Sequence, residues 1–276
     1  MTKEDEIDSF DDLAGMTLDL SDKNIVPDEN GKVEIDVNDA VPQGNMARNM
    51  IQGELKFWIS DLNDFSGMTG VSPKNKPIQN IYITDNEIYV TQVYTKNGKR
   101  NNVKISRCKI LPQNHKLAQA QDSMNLEGVG HGQNLIPYQY NNKQYFIVCA
   151  NAVNNNPTNE KSWEANKIGR IVYDAGTTKT SKNINMLEDT EYSNKTREPF
   201  NNIRRCAVYV SPDNKKILMF KQNTQRAVQY SFYDFDVVKQ VLDSNSAKDM
   251  SFKYSDKLQA ACYDYEINSN DLPVSQ

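Results

Sequence analysis

A chain of 276 residues is long enough to bury a substantial core, and one large β domain or two smaller domains would both account for its length. Its formal net charge of −4 and pI near 5.4 argue against the clustered Lys and Arg that phosphate-backbone binding needs, so we expect no nucleic-acid partner. The sequence contains no run of roughly 20 apolar residues that would form a transmembrane segment, and its first residues show no secretory signal.

Two short basic pieces, residues 96–100 and 204–205, do not change this expectation. We interpret the first as a turn and the second as a strand edge on a solvated surface.

The first 45 residues form an acidic region that is rich in Asp and Glu and poor in apolar positions. We predict that this region is partly mobile and that residues 46–276 form one β domain. The start of that domain has two interpretations, because residues 51–62 place apolar side chains at helical spacing, whereas residues 54–59 partly alternate as a strand does. A helix and a strand pair therefore both remain open for residues 46–65.

The first clear strands follow this segment. Residues 81–90 contain two alternating runs joined by a tight polar turn, which predicts a hairpin. We expect a third strand at Val93 and Tyr94, and a fourth over residues 103–110 after a turn at Asn97. Four short strands in about 35 residues match one propeller blade in size.

The same order of strand, Asn/Asp turn, apolar strand, polar loop and outer strand recurs twice further along the chain. Its strands are predicted at residues 135–140, 144–149 and 168–173, and again at residues 206–210, 216–220 and 227–233. We therefore predict an all-β fold of the β-propeller type, a repeat of four-stranded antiparallel sheets. A β-sandwich, whose strands are spaced in a similar way, is the alternative.

One segment breaks the β pattern and predicts a helix near residues 234–243. Its apolar residues Phe235, Val238 and Leu242 fall on one helical face, and an Asp stands at its start. We expect this short amphipathic helix to pack its apolar face on a sheet.

Neither the cysteines nor the histidines suggest a metal site. The four cysteines are far apart and form no Cys-x-x-Cys spacing, and their flanking segments look like strands, so we favour buried free thiols over disulfides. The two histidines, His115 and His131, have no Cys or second His beside them. We expect no metal and no cofactor.

An ordered set of segments resembles the helveticin J family of large, heat-labile bacteriocins. The Gly-His-Gly-Gln element that ends at Gln133 is similar to a segment of that family. It lies between Met124 and Leu135, ahead of an aromatic strand that ends at Cys149. Further similar segments follow in the family's order at residues 168–176, 192–196, 203–205, 210–213 and 229–234. Together they span roughly residues 77–263.

The resemblance implies a class III bacteriocin, an antimicrobial protein of narrow range that lactic acid bacteria release against related cells. It implies an extracellular or cell-surface location and brings no established catalytic residues. The chain ends at Gln276, about where family members begin another blade, so the resemblance implies a shortened member. We expect residues 46–62, a second copy or a partner chain to cover the sheet edge that such a propeller leaves unpaired.

Five residues are candidate ligand contacts. His131 is flanked by glycines, which let the backbone approach another group closely and expose the imidazole, and Gln133 stands near it. Tyr138, Trp163 and Tyr173 offer flat apolar rings that suit the sugars of a cell-wall polymer. Each has an ordinary structural interpretation as well, with His131 as a hydrogen bond between blades and the tyrosines as packing between sheets.

We therefore expect a secreted antimicrobial protein that binds a wall or surface glycan of competing bacteria. A non-toxic, truncated paralogue that binds a partner or confers immunity is the first alternative. A cell-wall glycan hydrolase is the second, although no catalytic motif such as a Gly-x-Ser-x-Gly elbow occurs in the sequence. A hydrolase would need a carboxylate pair in which one pKa is raised.

Overall fold

The computed structural model describes residues 32–35, 51–54, 58–62, 68–71, 76–112, 114–154, 163–244 and 246–268. The chain divides into two compact units, one drawn from residues 1–60 and 110–119 and the other from residues 61–109 and 120–276. The acidic region predicted over the first 45 residues lies outside the described residues, apart from residues 32–35.

The first unit contains short strands. β1 (Lys32–Ile35) pairs antiparallel with β2 (Ile51–Glu54), and β3 (Trp58–Ser60) runs parallel to residues 117–119. Where it is described, the segment that the sequence left open between a helix and strands is therefore made of strands.

The first sheet of the second unit is a meander of four strands in chain order. They are β4 (Ile78–Ile83), β5 (Glu87–Lys96), β6 (Lys99–Leu111) and β7 (Asn114–Glu127). The end of β6 and the start of β7, within residues 110–119, belong to the first unit. The predicted hairpin over residues 81–90 is confirmed, and Asn97 turns the chain with a φ of 51°. The separate strand expected at Val93 is wrong, because β5 continues unbroken through that position.

The second and third sheets repeat this plan of four antiparallel strands. The second consists of β8 (Ile136–Tyr140), β9 (Lys143–Asn154), β10 (Trp163–Ile171) and β12 (Asn185–Met186), and the third of β13 (Ile203–Val210), β14 (Lys216–Asn223), β15 (Val228–Asp234) and β16 (Cys262–Asn268). β11 (Thr178–Thr180), which precedes β12, joins the first sheet parallel to β7. The strands predicted in both recurrences are confirmed, and the chain is mostly β.

Two α-helices, α1 (Phe235–Asp243) and α2 (Asp256–Ala261), connect β15 to β16, and two 3-10 turns, Ser181–Asn183 and Thr190–Tyr192, lie earlier in the chain. The helix predicted near residues 234–243 is confirmed as α1. It begins after Asp234 because that carboxylate accepts hydrogen bonds from the N–H groups of Asp236 and Val237 at 2.9 and 3.2 Å. Its buried face packs in the same apolar cluster as the third sheet and consists of Phe235, Val238, Val241 and Leu242.

The second sheet lies between the other two, because β9 buries side chains on both of its faces. Phe146 and Val148 belong to a cluster with buried residues of the first sheet, whereas Ile147 packs in another cluster with the third sheet and α1. This alternation follows from the two-residue period of a strand. Each fully buried side chain of this kind contributes about 1.5–3 kcal/mol, so the two clusters hold the three sheets in sequence, face to face.

All four cysteines are buried and free, which confirms the interpretation that we favoured. Cys108 lies in the first sheet, where burial raises the pKa of its thiol to about 11. Cys149 on β9 and Cys206 on β13 approach each other between the second and third sheets. Cys262 begins β16.

Candidate functional site

The segment that leads from the first sheet to the second, residues 129–134, contacts all three sheets, and we call it the crossover segment. On the first sheet, Thr91 donates its hydroxyl to the carbonyl oxygen of Gly132 at 2.9 Å. The side-chain amide of Asn80 donates to the carbonyl oxygen of Gln133 at 2.8 Å. The crossover backbone is thus fixed by side chains of β4 and β5 before it reaches β8.

Glycines on both sides of His131 allow the crossover segment to lie close against its neighbours. Gly130 has a φ of +92°, and a Cβ atom there would stand 2.9 Å from the backbone nitrogen of Ala165 on β10. Gly132 has a φ of +73°, and its Cβ would stand 2.8 Å from a methyl carbon of Val103 on β6. A side chain at either position would therefore be strained both by its backbone angle and by contact.

Asn134 ties the end of the crossover segment to the third sheet. It is buried, and its side-chain amide donates to the carbonyl oxygen of Val208 on β13 at 2.7 Å. Its side-chain oxygen accepts from the Val208 N–H at 3.3 Å and from the Cys149 thiol at 2.8 Å. Asn134 was not among the predicted site residues, because its partner Val208 is 74 positions away.

The crossover segment borders a small crevice within the second unit that brings together side chains from two sheets. The crevice holds about 220 Å³ including its open mouth, and it is lined by His131, Gly132, Gln133, Cys149, Glu164, Ala165, Arg205 and Cys206. The structure thus places two of the predicted ligand contacts, His131 and Gln133, in one concave site, and both are half-buried.

Two neighbouring arginines of β13 contact residues of this site, and one of them, Arg205, lines the crevice. Arg205 donates to the side-chain oxygen of Gln133 at 2.6 Å. Arg204 faces Glu164 of β10 with a guanidinium-to-carboxylate distance of 3.4 Å, and the Glu164 side chain is 6 % exposed. A carboxylate this deeply buried needs such a partner.

These contacts correct the interpretation of residues 204–205. β13 is the edge strand of the third sheet, as that interpretation required. The predicted solvent exposure was wrong, because both arginines are half-buried where the crossover segment and β10 pack against β13. The sequence carries no signal for these pairs, since Gln133 and Arg205 are 72 positions apart.

Of the other three candidate residues, Tyr138 and Tyr173 do not line the crevice, and Trp163 is described for its backbone only. Tyr138 is 6 % exposed and stacks on Tyr145 with ring centroids 5.4 Å apart, and burial raises the pKa of its hydroxyl to about 12. Such a position suits packing between sheets, which was the alternative role for this residue. Trp163 begins β10 directly before Glu164, but its side chain lies outside the described residues.

Tyr173 belongs to a separate cluster at the first sheet. Its hydroxyl donates to Asp122 at 2.6 Å, and Arg107 donates to the same carboxylate at 3.1 Å. Burial raises the pKa of Asp122, but the hydrogen bonds from Arg107 and Tyr173 outweigh it and leave that pKa below its ordinary value. Burial and the bond to Asp122 raise the pKa of the Tyr173 hydroxyl. Asp122 is therefore shifted in the direction opposite to that of a glycosidase general acid.

The part of the chain that the structure describes contains no group of three or more His, Cys, Asp or Glu residues placed to hold a metal ion. Among the same residues, no helix has both the length and the apolar character needed to cross a membrane.

Comparison with known families gives one match that covers most of the chain. The family described as bacteriocin helveticin-J matches residues 57–270. The matched region contains the crossover segment, all three sheets and both α-helices. Comparison with curated proteins gives no match. Since the family match spans well over half of the 276 residues and agrees with the resemblance found in the sequence, the chain belongs to the helveticin J bacteriocin family.

Proposed function

We propose that this protein is a secreted antimicrobial that binds a wall or surface component of competing bacteria. The observation that carries the proposal is the helveticin J family match over residues 57–270. An extracellular or cell-surface location follows from the same membership and is part of the proposal.

The proposed architecture is an assembly of propeller blades. Each of the three sheets of the second unit is built on a four-stranded antiparallel meander, and the middle one is covered on both faces. A β-sandwich has two sheets with one buried face each. Three sheets packed in succession are what a propeller requires of neighbouring blades.

The proposed ligand site is the crevice at the crossover segment. His131, Gln133 and Arg205 present imidazole, amide and guanidinium groups in one concave place, and groups of this kind hydrogen-bond the hydroxyls and ring substituents of a glycan. Arg205 is already oriented by its bond to Gln133, so little side-chain freedom is lost when a ligand binds. The crevice is small and its volume of about 220 Å³ includes the open mouth, so a glycan would contact these groups from the surface.

Binding to intact cells and to isolated walls from a panel of lactobacilli, with viability counted in parallel, tests the proposal. We expect wild-type protein to bind selectively and to reduce viability. Gln133→Ala and Arg205→Gln are expected to weaken wall binding about tenfold or more, the loss of about 1.4 kcal/mol of binding free energy.

Lys215→Gln is the matched control. Lys215 is exposed in the turn before β14, so this change removes a positive charge from the same sheet without touching the crevice. Binding by Lys215→Gln should equal that of wild type, and all variants should unfold cooperatively. A folded wild-type protein that binds no walls and kills no cells would overturn the proposal.

The same experiment separates the two alternatives. A partner-binding or immunity-like protein would form a stable complex with a second chain and leave viability unchanged. A glycan hydrolase would release soluble fragments from purified walls.

A further inference from the structure

We propose that Cys149 and Cys206 are a site of reversible oxidation, at which a disulfide joins the second sheet covalently to the third. The inference goes beyond the proposed function and does not depend on it. The Sγ atom of Cys149 lies 3.3 Å from the carbonyl oxygen of Cys206, so the thiol of β9 contacts the residue of β13 with which it would pair. Both cysteines also line the same crevice.

The placement of the pair allows a disulfide. The Cys149 thiol already contacts the backbone of Cys206, and side-chain rotation would have to bring the two sulfurs to the bond length of about 2.05 Å. The two strands belong to different sheets that meet through side chains, so this approach breaks no backbone pairing of either sheet.

The crevice borders this pair, and a small-molecule disulfide reaches the buried thiols when the structure opens locally. Both cysteines line it together with His131 and Gln133, although each thiol is itself buried. Cys108 and Cys262, the other two cysteines of the chain, do not line this crevice. The structure therefore predicts one specific cross-link and no alternative pairing.

The chemistry is thiol–disulfide exchange with a small-molecule disulfide. One protein thiol, after losing its proton, attacks a sulfur of the oxidant, forms a mixed disulfide and releases one small thiolate. The second protein thiol then loses its proton and attacks the protein-bound sulfur, which releases the second small thiolate. Two protein thiols thus lose two protons and two electrons, and the oxidant is reduced to two thiols.

Burial makes this reaction slow at neutral pH and faster in alkali. The neighbouring Cys149 thiol and burial both raise the pKa of the Cys206 thiol, and the thiolate is the form that attacks. The cross-link would close the chain between residues 149 and 206, which contains β10, β11 and β12. It should therefore raise the thermal midpoint, because it restricts the unfolded chain.

The test uses the full chain, excess oxidised glutathione at about pH 8, thiol counting, intact mass and peptide mapping. We expect two of the four thiols to disappear, with a mass loss of about 2 Da and a mapped link between Cys149 and Cys206. The thermal midpoint should rise by several degrees and return after reduction with dithiothreitol.

Cys206→Ser should abolish the link and the rise in midpoint, whereas Cys108→Ser should retain both. Mapping on wild-type protein decides the matter even if a variant fails to fold. The proposal is overturned if folded wild-type protein keeps all four thiols, gains only glutathione adducts, or links a different pair.

Discussion

The guanidinium of Arg205 donates a 2.6 Å hydrogen bond to the side-chain oxygen of Gln133, which joins two residues 72 positions apart. The bond fastens the edge strand of the third sheet to the crossover segment, whose backbone is held by Thr91 and Asn80 of the first sheet. A short segment between two strands is therefore a fastening point for three sheets as well as the border of the candidate site.

Asn134→Ala is expected to lower the free energy of unfolding by about 2–4 kcal/mol. The change leaves the buried N–H and carbonyl groups of Val208 without their side-chain partner and removes the acceptor of the Cys149 thiol. Urea denaturation monitored by tyrosine fluorescence measures the loss. Asn183→Ala is the control, because that side chain accepts one exposed hydrogen bond from Thr180 and should cost less than about 0.5 kcal/mol. Equal stability of the two variants would contradict the bridging role.

Gly130→Ala is expected to destabilise the protein more than Gly98→Ala. Both glycines have a positive φ, +92° and +80°, so both substitutions carry the backbone penalty of about 1–2 kcal/mol. The added Cβ meets nothing within 4 Å at Gly98 but lies 2.9 Å from the backbone nitrogen of Ala165 at Gly130, where neither side can yield by rotation. We expect a further loss of about 1–3 kcal/mol for Gly130→Ala, measured by the same denaturation. Identical losses would show that contact with β10 is not what requires this glycine.

Asp122 should make the protein more stable at neutral than at acid pH. Its folded-state pKa lies below its ordinary value of about 3.9, so its contribution is fully present above about pH 4 and is lost as pH falls through the folded-state pKa. Asp122→Asn should therefore cost about 1–3 kcal/mol at pH 7, and the difference from wild type should shrink in acid. Thermal midpoints recorded between about pH 2 and 7 check this.

Asp85→Asn serves as the control for the pH series, since Asp85 lies exposed in the turn between β4 and β5. Its midpoints should follow those of wild type at every pH. A constant difference between Asp122→Asn and wild type across the whole range would refute the proposed linkage.

Asp234→Ala should lower the free energy of unfolding by about 1 kcal/mol. It removes the acceptor for the N–H groups of Asp236 and Val237 at the start of α1. Asp234→Asn keeps an acceptor oxygen at the same place and should lose much less. If both substitutions cost the same, charge rather than capping is what the helix start requires.

The sequence predicted those elements whose pattern is local. The hairpins and α1 follow from alternation, turn residues and helical spacing within a few positions of each other. β7 was missed because its inward positions include Asp122, whose charge is compensated by Arg107 and Tyr173 rather than replaced by an apolar side chain. β16 was missed because two helices precede it, so it does not follow the strand order of the earlier repeats.

The candidate site was predictable in part for the same reason. The glycines beside His131 marked a close backbone approach, and Gly130 and Gly132 do lie against β10 and β6. Glu164, Arg205 and Asn134 became visible once the sheets were in place, because their partners are 40 to 74 positions away. The ligand roles of His131 and Gln133 stay predictions that the wall-binding experiment addresses.

The crossover segment also sets an order of events on the ribosome. Its partners in the first and second sheets are synthesised before or soon after it, but Val208, which holds the amide of Asn134, is made 74 residues later. At about 5–20 residues per second, roughly 4–15 s pass before that partner exists. During this interval the nascent second sheet exposes the apolar face that later packs against the third sheet. The rate of translation through β10 to β13 therefore sets how long this aggregation-prone intermediate lasts and how long chaperones can bind it.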